Sequence, residues 1–110
     1  MLLSTDVWAG ALIRRAEQAG AFAMVIRKGD TRAGAVLVKV IDRRDRSARL
    51  YSEAFRGDGE RVWMEPVKAD DEAALDAYVE RQARIDPDIW LIEIDDAEGR
   101  HFLTEPVENR

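Results

Sequence analysis

The chain has no cysteine, one histidine and three prolines in 110 residues. Without cysteine there is no disulfide, no thiolate nucleophile and no sulfur-ligated metal. With one imidazole, a zinc site would rest mostly on carboxylates, an unusual ligand set. Long apolar runs are missing too. Ala21 to Ile26 is the longest, far below the ~20 residues a membrane helix needs. The N-terminal MLLSTDVWAG has no basic segment and meets acid at Asp6, so a signal peptide is not expected and the cytoplasm is the expected location. Positive charge is also in deficit. A formal net charge of -5 opposes the counterion release that duplex binding needs, so nucleic acid is not an expected partner.

What is present suits a soluble, folded chain. Apolar residues make up 46% and charged residues 35%, a globular composition, and the length fits one domain with its own core. STDVWAGALIRRAEQAG reads as a helix. Ser4, Thr5 or Asp6 can accept from its first amides, Trp8, Leu12 and Ala16 recur at helical spacing, and Gly20 suits the turn after it. AFAMVIR and AVLVKVI follow as strands, the first apolar on both sides and so expected to be covered on both. ARLYSEAF and RVWMEPV make two more, joined through Asp58-Gly59, a hairpin signal. ADDEAALDAYVERQARI is a second helix, with Asp70 as candidate cap and Pro87 beyond its end. IWLIEI is a buried strand, HFL a short edge strand, and residues 104–110 a loose tail after an ordered core of 4–103.

The expectation is an α+β fold in one domain, residues 1–110. An antiparallel sheet of about five strands, in the order α-β-β-β-β-α-β, carries two helices packed on it.

Two places stand out as candidate sites. Between the first two strands lies GDTRAG, which matches the first half of a phosphate-binding loop. The lysine and hydroxyl of the second half are replaced by Ala35 and Val36, and a strand follows where a helix should, so a nucleotide-hydrolysing loop is excluded. Lys28, Gly29, Arg32 and Gly34 remain a candidate anion loop, against the plainer expectation of a hairpin turn with solvated charges. In the next hairpin, a five-residue RGDGE loop sets Phe55 opposite Arg61 and Glu53 opposite Trp63. Alternation then gathers Tyr51, Glu53, Arg61 and Trp63 on one face. If open, that face offers aromatics among paired charges to a planar ligand or a second subunit.

Catalytic hardware is sparse. His101 has no evident nucleophile beside it, no G-x-S-x-G occurs, and Ser4, Ser47 and Ser52 lack a histidine partner. Glu93, Asp95, Asp96 and Glu98 lack the ligand spacing of a calcium loop, since Ala97 interrupts it. No catalytic residue, metal or cofactor is assigned.

The segments GAFAMVIRKGDTRAGAVLVKV, RVWM and YVERQARIDPDIWLIEIDDAEGRHFL resemble a family of small bacterial proteins catalogued as domain of unknown function 1491. The likeness runs from about Gly20 to Leu103. It implies a stand-alone bacterial protein and no particular activity. The function expected from the aromatic and charged sheet face is a small binding or protein-interaction module, self-associating, with a protein or small-molecule partner and no membrane; Trp63 and Tyr51 would anchor it, and Arg61 and Glu53 would set orientation through paired charges. The alternative is a small enzyme on an anionic metabolite, with Lys28 and Arg32 holding the anion and Glu53 or His101 moving a proton.

Overall fold

The structure is a computed structural model and describes residues 3–68 and 71–108. Its elements are α1 (Thr5–Gln18), β1 (Phe22–Arg27), β2 (Val36–Asp42), β3 (Ala48–Phe55), β4 (Arg61–Met64), α2 (Glu72–Ile85), β5 (Trp90–Asp96) and β6 (Val107–Glu108). All strands share one sheet in the order β1-β5-β2-β3-β4-β6.

The helices end where the sequence says. Gly20 takes a positive φ after α1, and Asp71 caps α2 by accepting from the Ala73 amide at 3.0 Å. Asp70, the cap expected from sequence, lies outside the described residues. The β3–β4 hairpin has the expected register, Phe55 against Arg61 and Glu53 against Trp63, turned through Gly59 at positive φ.

Three expectations about the sheet are corrected. It is mixed and six-stranded, because β5 returns after α2 to lie parallel to β2 and antiparallel to β1. The cause is visible in β5 itself, whose Ile92 and Ile94 face one side and Leu91 the other, all buried; such a strand gains most at the centre of a sheet. Second, β1 is not covered on both faces. It is an edge strand with Phe22, Met24 and Ile26 exposed. Third, HFL is not a strand. Phe102 sits at φ 61, with its carbonyl held by the Arg15 guanidinium at 3.1 and 3.2 Å.

Nor is the end of the chain loose as far as it is described. The Pro106 carbonyl accepts from the Trp63 amide at 2.9 Å, and β6 pairs in parallel with β4. Asn109 and Arg110 lie outside the described residues.

Each helix takes one face. Trp8, Leu12 and Ala16 of α1 pack with Val36, Val38, Tyr51, Trp63, Ile92 and Ile94. Leu75 and Val79 of α2 pack with Leu37, Ile41, Leu50 and Leu91. The result is three layers, helix on sheet on helix, with two cores.

Candidate functional site

The alternation that gathered Tyr51, Glu53, Arg61 and Trp63 holds, but α1 covers their face. Trp63 is wholly buried and Tyr51 nearly so. Trp63 stacks on Trp8 of α1, with centroids 5.4 Å apart, and its indole N–H donates to Glu105 at 2.9 Å. The expectation of an open face is therefore overturned. The two helical seams each need a sheet face, and there are only two.

Arg61 lies at the rim of this cluster. Its guanidinium sits over the rings of Trp8 and Phe55, 2.7 Å from the Glu53 carboxylate and 3.8 Å from that of Glu105. Burial pushes the Glu53 carboxyl up, while the Arg61 charge and the Val36 amide pull it back and Glu105 adds to the rise. Two carboxylates for one guanidinium leave the group acidic, which disfavours an anionic ligand at Arg61. His101 meets Tyr51 edge-on at 5.2 Å and accepts from the Leu103 amide through Nδ1. Burial pushes its imidazole down. Burial pushes the Tyr51 phenol up, with the Glu65 charge adding and Arg49 opposing.

The loop from Lys28 to Gly34 is not a hairpin turn, because β5 stands between β1 and β2. It wraps the start of β5 instead. The Trp90 indole donates to the Asp30 carbonyl at 2.7 Å, and the Asp30 amide donates to the Asp88 carbonyl at 2.9 Å. A side chain at Gly29 or Gly34 would collide with that Asp88 carbonyl and the Trp90 ring, so both glycines serve close approach.

The amides that would cradle an anion are largely used. The Ala33 amide donates to the Asp30 carboxylate and the Gly34 amide to the Asp30 carbonyl. Thr5 and Asp6, at the start of α1, donate to the carbonyls of Arg32 and Thr31. The positive end of α1 is thus met by the loop's own carbonyls. Lys28 and Arg32 are both exposed.

Sequence reasoning missed what three features do, Asp96 among them, which it weighs only as a calcium ligand. Lys39, in the middle of β2, is buried and holds Glu72 and Asp76 of α2 and Glu93 of β5 at 2.9, 2.9 and 3.1 Å. Burial alone would lower this ammonium, but the three carboxylates outweigh it and hold it well above the usual lysine range. Its signal was a lone charge in an apolar strand. Asp96 is likewise buried. It accepts from both arms of the Arg100 guanidinium and from the amides of Glu98 and Arg100, which keeps it ionised far below the usual carboxylate range. The third feature is the bare edge of β1, where Phe22, Met24 and Ile26 are 67%, 55% and 50% exposed. By alternation Phe22 and Met24 share the α2 face, opposite Asp95 and Glu93 of β5, while Ala21 and Ala23 join the core under α1.

Among the described residues no group of carboxylates and histidine is placed to hold a metal ion, and no helix is long and apolar enough to cross a membrane. A small polar depression is lined by Val40, Asp42, Ser47, Arg49 and Gly99.

Comparison with known proteins adds a family and a fold. The family described as "Protein of unknown function (DUF1491)" matches residues 3–104. A crystal structure of a DUF1491 family protein from Caulobacter crescentus CB15 is 72% identical, covers 97% of this chain and 100% of its own, and superposes with a TM-score of 0.95. An NMR structure of a DUF1491 family protein from the same organism gives 72% identity, 98% coverage of both chains and 0.92. The solution structure of protein Atu0922 from A. tumefaciens is 33% identical, covers 96% of this chain and 95% of its own, and gives 0.81. No curated protein matches the chain.

Proposed function

The chain belongs to the DUF1491 family of proteins of unknown function, and from that premise we propose that it is a protein-interaction module whose working surface is the free edge of β1. The observation that carries this reading is the exposure of Phe22, Met24 and Ile26 on a strand that, among the described residues, pairs on one side only. Edge strands are ordinarily guarded by lysine, proline or inward charge, since their unpaired amides and carbonyls invite another strand. From Phe22 to Ile26 this edge carries no charge and no proline of its own, and the Arg43 guanidinium lies over the Phe22 ring, 5.4 Å from its centroid. Its one irregularity, between Val25 and Arg27, comes at the end of the strand.

Strand addition supplies main-chain hydrogen bonds for affinity and side-chain contacts for selectivity. The anchoring role expected of Trp63 and Tyr51 passes to Phe22 and Met24, because a buried indole has no surface to offer. Glu53 and Arg61 hold each other at the rim of the α1 core. The alternative, an enzyme clamping an anion with Lys28 and Arg32, has less support, since the loop's amides and the α1 terminus already have partners.

The test is a photocrosslinking residue at position 24, irradiated in living cells. A discrete protein adduct is expected there, and none from position 17 on the exposed side of α1. No adduct at position 24, or the same adducts from both positions, would overturn the reading.

A further inference from the structure

Resting on that reading, we infer that the strand received by β1 is β1 of a second copy, paired antiparallel about Ala23 so that two six-stranded sheets become one. The regular ladder of β1 runs from Phe22 to Val25, before the irregularity at Ile26. A two-fold axis through Ala23 centres the pairing on that stretch. It sets Phe22 of each copy opposite Met24 of the other, on the α2 face, and Ala23 opposite Ala23 on the α1 face.

These pairings suit the side chains. Phe22 and Met24 are large, exposed and on one face, and thioether on aromatic ring is a favourable contact made twice. Ala23, at the axis, is small and lets the two backbones approach. Both strands bring the same surface, as a two-fold interface requires.

Charge selects the direction. Arg27 is the one charged residue of β1. Antiparallel pairing about Ala23 keeps the two Arg27 residues about 27 Å apart along the strands, whereas parallel in-register pairing sets them side by side. The other edge of the sheet, β6, is two residues long and has little ladder to offer.

The side chains of Phe22, Met24, Val25 and Ile26 with one strand edge supply roughly half of the ~800 Å² per partner of a standard interface, which places the pair among weak, transient associations.

Sedimentation velocity over ~1–300 µM tests this on the full chain. Wild type is expected to pass from monomer to dimer. Met24→Lys and Phe22→Glu are each expected to stay monomeric, with unchanged circular dichroism, because both positions are exposed at an edge. Mixed in equal amounts, the two variants are expected to regain dimer, since the ammonium introduced in one chain then faces the carboxylate introduced in the other.

A wild type that remains monomeric throughout, or a dimer that Met24→Lys leaves intact, would overturn the inference. Rescue of Met24→Lys by Met24→Glu, and not by Phe22→Glu, would overturn the register. The crosslink at position 24 separates the two levels of argument. An adduct of mass other than two chains overturns the second copy and keeps the interaction module, while no adduct overturns both.

Discussion

Trp8 of α1 and Trp63 of β4 stack with centroids 5.4 Å apart and planes 25° from parallel, and this contact makes a core of the face that looked like a binding surface. Trp63→Ala is therefore a core deletion. It is expected to cost about 3–5 kcal/mol, much of the ~5–15 kcal/mol that holds an average domain. Urea unfolding of Trp8→Ala, Trp63→Ala and the double variant is the check. The aromatic pair should appear as a coupling of about 0.5–1.5 kcal/mol, and additive losses would deny the stack any energetic role.

Lys39 is the tie between α2 and the sheet. Lys39→Met leaves Glu72, Asp76 and Glu93 clustered without their cation and is expected to destabilise by about 3 kcal/mol at pH 7. In the wild type the ammonium is raised in the fold. Its contribution is fully present below the unfolded lysine value and lost only as pH rises through the folded one. Denaturant midpoints at pH 7 and 10 for both proteins decide the matter, the difference between them being expected to persist at the higher pH.

Asp96 has the opposite sign. Its carboxyl is depressed in the fold, first by the Arg100 side chain, with the amides of Arg100 and Glu98 adding and burial opposing. The stability it contributes is present above the unfolded aspartate value of ~3.9 and lost as pH falls below it. Asp96→Asn is expected to cost about 1.5–3 kcal/mol at pH 7 and to flatten the acid limb of a stability–pH curve. A variant with the wild-type acid limb would contradict this.

Gly34→Ala tests whether the loop after β1 is a wrapper or a cradle. The added methyl meets the Asp88 carbonyl and the Trp90 ring, so a loss of about 1–3 kcal/mol is expected, with a change in Trp90 fluorescence. Arg32→Ala, at an exposed position, should stay within about 0.5 kcal/mol of wild type. An Arg32→Ala loss as large as that of Gly34→Ala would mean that the arginine holds the loop.

The sites were half legible. Alternation from the Asp58-Gly59 turn found that Glu53 and Trp63 are paired and share a face with Tyr51 and Arg61, because a tight turn transmits register along a few residues. It had no means of telling that α1 covers that face. The two glycines at 29 and 34 drew notice as phosphate-loop residues, while their partners, Asp88 and Trp90, lie more than fifty residues away in the chain.

By itself the sequence determined the helices and where they stop, the hairpins of β2–β3 and β3–β4, the absence of disulfide and thiolate chemistry, and the family. These follow from caps, turns and periodicity, all interactions within a few residues. Only the tertiary structure decided that β5 enters between β1 and β2, that the helices take opposite faces, and that Phe22 is bare while Trp63 is buried. Apolar strands with like patterns compete for the centre of a sheet. The winner is set by the summed burial of both faces against both helices, which no local window of residues contains.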